Sequence, residues 1–140
     1  MRAVFADTCY WIAIAKPNDS WAVPAKRAKE DSGPVLLVTT DEVLTEFLAA
    51  LSRGGPTIRR AAAQMVRAIL ENPNVKVVPQ GRDSFLDGLK LYEEREDKEY
   101  SLTDCVSMNV MRSLSIHEVL TTDHHFQQEG LTVLIRKDGP

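Results

Sequence analysis

An apolar stretch near the end of the chain, residues 101–126, constrains the fold more than any other segment. It reads SLTDCVSMNVMRSLSIHEVLTTDHHF. The spacing predicts a nearly all-apolar helix that opens at Ser101 and Asp104, followed by a short strand over 118–122 that ends on Asp123. Both elements are expected to be buried, and a carboxylate at the end of a buried element is costly unless a cation neutralises it.

The rest of the chain repeats this alternation of helices with short strands. Apolar strands are predicted over 3–6, 35–38, 75–78 and 131–135, with helices between them. The chain has 140 residues, no internal repeat and no linker-like stretch. We therefore expect one α/β domain over 1–140, with about five strands in a mostly parallel sheet that helices cover on both faces. Residues 136–140 are expected to form a loose tail.

The composition of the chain argues against several classes of protein. No run of 18 or more apolar residues occurs, and an acid interrupts the apolar N-terminus. We therefore expect neither a membrane span nor a secretion signal, and we expect a cytoplasmic protein. The two cysteines are far apart, which argues against a disulfide framework or a structural zinc site. The net charge of −3 gives no overall attraction to nucleic acid.

Four acids are expected at one edge of the predicted sheet. Asp7 and Asp123 directly follow strands, and Glu46 and Asp104 fall in the first turns of helices reached from that side. Ligands of open α/β sheets bind at the carboxyl ends of the strands. Simpler explanations exist, since Asp7 and Asp123 can cap helices, and Asp104 can close a capping box with Ser101.

The two glutamates of the third predicted helix differ in position. Glu46 lies at the border of the expected buried stripe, whereas Glu42 lies further toward solvent and stands three residues after Thr39, as in a capping box. Glu46 is therefore the better site candidate, although an ordinary acid at a helix border is the alternative. The expected stripe consists of Val43, Leu44, Phe47, Leu48 and Leu51.

Converging carboxylates would repel one another unless a divalent cation were bound, and ligands that are all oxygens favour Mg²⁺ or Mn²⁺ over zinc. Such an ion can activate water and hold a phosphodiester, which predicts phosphodiester hydrolysis. No G-x-S-x-G elbow and no Gly-rich phosphate loop is present. His124 and His125 directly follow Asp123, which suggests a transition-metal site as one alternative. We interpret them instead as a solvated loop pair, because the other candidate ligands are all oxygens.

Four short motifs carry a family resemblance. DT at 7–8, TEFL with Glu46, SLTDC with Asp104 and TTDHHF with Asp123 occur in this order over nearly the whole chain. Together they resemble the PIN-domain ribonucleases, particularly the VapC-like toxins of toxin–antitoxin pairs. The resemblance implies a three-layer α/β/α sandwich, Mg²⁺ or Mn²⁺ held by the four acids, and endonucleolytic cleavage of RNA.

The resemblance also suggests supporting residues and partners. Thr8, Ser101 and Thr122 stand where the family tends to have hydroxyls beside the acids. Family members are often homodimers and are often silenced by a small antitoxin protein. Because the whole chain is acidic, RNA affinity would have to come from local basic residues, and the candidates are Lys16, Arg53, Arg59 and Arg60.

Two other functions fit part of the pattern. A phospho-receiver domain also has an acidic Mg²⁺ crevice in an α/β fold, but it needs an acid after its central strand, and the third predicted strand ends in VVPQ. A non-catalytic PIN-like module that binds RNA or protein is the second alternative, and the presence of all four acids argues against it.

Overall fold

The computed structural model describes residues 1–137, and in them helices flank a sheet of five strands. The elements are β1 Arg2–Ala6, α1 Thr8–Ala15, α2 Ala22–Asp31, β2 Val35–Thr40, α3 Asp41–Leu51, α4 Pro56–Glu71, β3 Val75–Val78, α5 Arg82–Glu94, α6 Leu102–Ser113, β4 Glu118–Leu120, α7 His125–Gln128 and β5 Thr132–Val133. This architecture confirms the predicted α/β/α sandwich.

The sheet has the order β3-β2-β1-β4-β5, and every strand pair is parallel. β1 is the central strand: Phe5 stands beside Val38 of β2 and beside Val119 of β4. The chain adds β2 and β3 on one side of β1 and then returns to add β4 on the other. The point where the strand order reverses lies between β1 and β4, which is where open α/β sheets form their ligand crevice.

The strands and helices form where the sequence supplies apolar residues for a common core. β1 consists of residues with small or apolar side chains at its carboxyl end, and Val4, Phe5 and Ala6 are completely buried. α6 packs one side into the core, and six of its twelve residues are buried: Cys105, Val106, Ser107, Met108, Val110 and Met111. Gly88 allows α5 to approach α6 closely, because a Cβ atom at this position would lie 2.7 Å from Val106 Cγ2.

The largest local error in the sequence prediction concerns the junction of β2 and α3. β2 continues to Thr40, and Thr40 rather than Thr39 caps α3, since its hydroxyl accepts a hydrogen bond from Val43 N at 3.1 Å. The hydroxyl of Thr39 instead donates to the carbonyl of Ala6 at 2.9 Å. The predicted Thr39–Glu42 capping box is therefore wrong, because Thr39 is part of the sheet and pairs with β3.

Other differences are smaller. Leu48, predicted in the buried stripe of α3, is exposed. β4 ends at Leu120 and β5 comprises only Thr132–Val133, so both strands are shorter than predicted. The short helix α7 was not predicted at all.

No helix among residues 1–137 is long and apolar enough to cross a membrane. The predicted loose tail lies largely outside the described residues, since 138–140 are not described.

Candidate active site

Two of the predicted site acids lie together because β1 and β4 are neighbours in the sheet. Asp7 directly follows β1, and its backbone N–H donates to the carbonyl of Leu120, the last residue of β4, at 3.2 Å. Asp123 follows three residues after that strand end. Both acids therefore stand at the carboxyl edge of the sheet, where the strand order reverses.

Asp7 occupies the N-cap position of α1 but does not act as a side-chain cap. Its carboxylate is buried, and Oδ2 accepts a hydrogen bond from the Thr121 hydroxyl at 2.8 Å. The same hydroxyl accepts a hydrogen bond from the backbone N–H of Asp123 at 3.1 Å. Thr121, which sequence reasoning did not select, therefore connects the first and last acids of the site.

Glu46 lies in the second turn of α3, not in its first turn. Its Oε1 accepts a hydrogen bond from the Thr8 hydroxyl at 2.6 Å. Thr8 is the first residue of α1, so this bond joins α3 to the residue that follows Asp7.

Asp104 is the third residue of α6 and forms a reciprocal capping box with Ser101. Asp104 Oδ2 accepts from Ser101 N at 3.0 Å, and Ser101 Oγ accepts from Asp104 N at 3.0 Å. The simpler explanation of Asp104 is thus realised, and it leaves the other carboxylate oxygen without a hydrogen-bond partner among the described residues. The capping box fixes the carboxylate in place at the positive end of α6.

The prediction of a solvated histidine pair is wrong for His125. His124 is exposed, but His125 begins α7 and has a side chain that is only 19% exposed. Its Nδ1 lies 3.2 Å from Asp123 Oδ2 and 3.5 Å from Asp104 Oδ2. One oxygen from each acid and one nitrogen of His125 all lie within 4.8 Å of one another. The only sequence signal for this contact is that the two histidines directly follow Asp123, and which histidine turns inward depends on the turn that leads into α7.

The four acids act on one another electrostatically. Burial raises the pKa of Asp7 to about 7, hydrogen bonds from Thr8 and Thr121 oppose that rise, and the charges of Asp104 and Glu46 add to it. Burial likewise raises the pKa of Asp104, and the charges of Asp123 and Glu46 contribute. The charges of Asp7, Glu46, Asp104 and Asp123 therefore influence one another, and we call these four acids the electrostatic cluster. Of the four, only Asp104 and Asp123 belong to the group of ligand atoms that lie within 4.8 Å of one another among residues 1–137.

A divalent cation fits the chemistry of these residues. Asp7 and Asp104 are held where their ionised forms are disfavoured by burial and by like charges, which is the condition that a cation relieves. The carboxylate oxygens are hard ligands that suit Mg²⁺ or Mn²⁺. The buried Nδ1 of His125, which has no hydrogen-bond partner among the described residues, is a further donor.

The predicted supporting hydroxyls take different positions. The Thr8 hydroxyl donates to the Glu46 carboxylate, whereas the Ser101 hydroxyl accepts from the backbone N–H of Asp104 and does not contact its carboxylate. The Thr122 hydroxyl contacts Cys9 Sγ at 3.7 Å and no site carboxylate among residues 1–137. The four basic residues selected for RNA binding are all exposed. They lie at the end of α1 and around the junction of α3 and α4: Lys16, Arg53, Arg59 and Arg60.

An ion cluster around the side chain of Glu129, which the sequence did not reveal, fixes α7 against α5 and α6. The Glu129 side chain is 5% exposed, and it accepts hydrogen bonds from Arg95 at 3.0 Å, from Tyr100 at 2.8 Å and from Arg112. Burial alone would raise the pKa of Glu129, but these hydrogen bonds outweigh it and lower the pKa to about 2. Because α7 begins with His125, this cluster also fixes one side of the site.

Comparison with known proteins gives consistent results. A family model described as "PIN domain" matches residues 4–129. The 23S rRNA-specific endonuclease VapC20 of Mycobacterium tuberculosis, found in two strains, is 28% identical over 127 residues, which cover 91% of this chain and 94% of the relative. The crystal structure of M. tuberculosis VapC20, described as a sarcin-ricin loop cleaving toxin, has a TM-score of 0.81 at 27% identity and covers 92% of this chain and 96% of its own.

Proposed function

The chain belongs to the PIN domain family, and from this premise we propose that it is a metal-dependent endoribonuclease that acts as the toxin of a toxin–antitoxin pair. The observation that carries the proposal is the electrostatic cluster of Asp7, Glu46, Asp104 and Asp123 at the strand-order reversal of the sheet. The similarity to an rRNA-specific endonuclease toxin over nine tenths of the chain supports it.

The proposed cofactor is Mg²⁺ or Mn²⁺, held by those same four acids. When bound, such an ion supplies a Lewis acid that lowers the pKa of water and stabilises the charge that develops on a phosphodiester during hydrolysis. The protein's own contribution is to hold the carboxylates in fixed orientations. Thr121 orients Asp7, Thr8 orients Glu46, and the capping box with Ser101 orients Asp104.

The basic residues would position the RNA backbone beside the acids. α1 is a helix of eight residues that spans about 12 Å. It begins next to Asp7 and ends next to Lys16. Lys16 also lines a cleft with residues of α4, so it lies near the helix that carries Arg59 and Arg60. Phosphates bound along this path would offset the repulsion between the acidic site and the RNA.

We propose that the protein forms a homodimer and binds a small antitoxin protein. Large apolar side chains are exposed on α4 and on α5, and a partner could cover them: Ile58, Leu70, Phe85, Leu86, Leu89 and Tyr92. We also propose that residues 1–140 form one PIN-like domain and that the protein acts in the cytoplasm, where its RNA substrate is located.

The direct test offers the purified chain 23S rRNA, a short RNA hairpin that carries the sarcin-ricin loop, and an unrelated structured RNA. We expect cleavage at an internal position that requires Mn²⁺ or Mg²⁺ and stops when EDTA is added. Cleavage that persists in EDTA would contradict the metal-dependent reaction. Binding without cleavage of all three RNAs would favour the alternative of a non-catalytic RNA- or protein-binding module.

The family match, rather than the strand ends, disfavours the phospho-receiver alternative. β3 lies at the edge of the sheet, and the central strand β1 is followed by Asp7, so the missing acid after β3 does not decide the question. The family model that matches residues 4–129 is that of the PIN domain. Acetyl phosphate should therefore fail to label the protein.

A further inference from the structure

His125 has a nitrogen atom that the protein itself does not satisfy. Nδ1 is buried and has no hydrogen-bond partner among the described residues. Buried polar atoms are hydrogen-bonded in most proteins, so an exception calls for a specific explanation such as an ion at that position.

The surroundings of this nitrogen are those of a ligand site. Nδ1 faces Oδ2 of Asp123 at 3.2 Å and Oδ2 of Asp104 at 3.5 Å, and neither contact has hydrogen-bond geometry. Asp123 uses its other oxygen, Oδ1, to accept the backbone N–H of His125 at 2.9 Å. Asp123 Oδ2 therefore remains directed toward the imidazole, with no hydrogen bond from residues 1–137 to occupy it.

The imidazole is also held in position. Its ring packs against Tyr100 with a centroid distance of 5.5 Å and against His124 at 5.1 Å. Tyr100 in turn donates to the buried carboxylate of Glu129, and Glu129 lies one residue beyond the end of α7. Because the ring of His125 packs against Tyr100 and His124 and its backbone is fixed, the side chain loses little conformational entropy when it binds an ion.

We propose that His125 Nδ1 is a nitrogen ligand of the divalent cation, beside Asp104 and Asp123, and that it makes the site prefer Mn²⁺ to Mg²⁺. Mg²⁺ is almost always bound by oxygen atoms, whereas first-row transition ions accept imidazole nitrogen. This inference rests on the cation of the proposed function but not on RNA cleavage. It changes the ligand set expected from the sequence, in which every donor was an oxygen.

The chain offers a matched pair of variants. His125→Asn places an amide at about the position of the Cγ–Nδ1 edge of the imidazole, so it can replace the nitrogen donor by an oxygen donor. His124→Asn makes the same change at the neighbouring exposed residue, which contacts neither acid among the described residues. Any difference between the two variants then reflects the nitrogen at position 125 rather than the loss of a histidine.

The experiment measures Mn²⁺ and Mg²⁺ affinity of the chelator-treated, full-length protein by calorimetry, without RNA. We expect wild type to bind Mn²⁺ more tightly than Mg²⁺, and we expect His125→Asn to reduce the ratio of the two affinities about tenfold or more. His124→Asn should leave that ratio within about twofold of wild type. An unchanged ratio in His125→Asn would overturn the inference.

A spectroscopic measurement tests the same bond without relying on a variant. Electron spin-echo envelope modulation of Mn²⁺ bound to wild type should show coupling to a directly bound ¹⁴N nucleus. Labelling histidine with ¹⁵N should replace that signal, and His125→Asn should remove it while His124→Asn keeps it. Absence of nitrogen coupling in wild type, or no Mn²⁺ binding, would overturn the inference. A protein that shows the coupling but cleaves no RNA would contradict the proposed function and leave this ligand assignment intact.

Discussion

The hydroxyl of Thr121 donates a hydrogen bond to Oδ2 of the buried Asp7 at 2.8 Å, across 114 residues of sequence. It also accepts a hydrogen bond from the backbone N–H of Asp123 at 3.1 Å. One hydroxyl therefore fixes the relative positions of two site acids that come from neighbouring strands. Outer partners of this kind commonly contribute 10- to 100-fold to metal affinity or activity, an order of about 1–3 kcal/mol.

Thr121→Val removes that hydroxyl with little change in volume. We expect RNA cleavage to fall about 10- to 100-fold, because Asp7 loses its orienting donor. Thr121→Ser should retain most of the activity. The matched control is Thr122→Val, since the Thr122 hydroxyl contacts Cys9 Sγ and no site carboxylate in the described part of the chain. Equal losses in the two valine variants, measured as initial cleavage rates, would show that Thr121 has no special role.

Asp7→Asn should raise the stability of the metal-free protein even though it lowers RNA cleavage. Burial and the charges of Asp104 and Glu46 disfavour the Asp7 carboxylate, so the amide should stabilise the metal-free protein at pH 8 by about 1–2 kcal/mol. Mn²⁺ should raise the melting temperature of wild type and have little effect on the variant. Thermal unfolding with and without the ion measures both effects. Asp87→Asn, on the exposed face of α5, is the control. A metal-free variant that melts below wild type would contradict the prediction.

Glu129 should make the fold sensitive to acid. Its pKa in the folded protein is about 2, below the ordinary value of 4.5, so between these values the unfolded chain binds a proton that the folded chain does not. The stability that Glu129 contributes is present above about pH 4.5 and is lost as the pH falls toward 2. Glu129→Gln should therefore cost about 2 kcal/mol at pH 7, and the difference from wild type should shrink on acidification.

Urea unfolding of wild type and Glu129→Gln at pH 7, 4 and 3 measures that difference. Glu118→Gln, which breaks the more exposed pair with Arg2, should cost less than about 1 kcal/mol. A wild-type advantage over Glu129→Gln that stays constant across the three pH values would be inconsistent with the lowered pKa.

Charge reversal at Arg59 and Arg60 tests the proposed path of the RNA. In metal-free buffer, the double variant with glutamate at both positions should bind RNA more weakly, and the slope of log affinity against log salt should become shallower by about 1–2. Arg27→Glu on α2 is the control, because Arg27 lines a cleft with Arg2 and Glu118 at the amino ends of β1 and β4. A double variant with the affinity and salt dependence of wild type would mean that this surface does not contact RNA.

Local patterns in the sequence predicted much of the fold. β3 was placed over the residues that form it, and the capping box of Ser101 and Asp104 follows from residue types three positions apart. The junction of β2 and α3 was harder, since Thr39 and Thr40 are both plausible caps. Both residues pair with β3, so β2 continues to Thr40 and Thr40 is left to cap the helix. That pairing depends on residues far along the chain.

The parts of the site that sequence reasoning missed all depend on contacts between distant residues. Thr121 rather than Thr122 contacts Asp7, and both threonines follow β4, which ends at Leu120. Glu129 receives its hydrogen bonds from residues 17 to 34 positions away. His125 faces Asp104 only because a four-residue helix, too short to give a periodic signal, turns it inward.

The most direct test of the account compares RNA cleavage by wild type with that of four single variants, Asp7→Asn, Glu46→Gln, Asp104→Asn and Asp123→Asn, at saturating Mn²⁺. Circular dichroism confirms that each variant is folded. We predict that wild type cleaves, that EDTA abolishes cleavage, and that every folded variant loses at least about 100-fold in rate, since each removes a proposed ligand of one cation. Wild-type cleavage by a folded Asp7→Asn or Asp104→Asn variant would contradict the assignment of this acidic cluster as the active site.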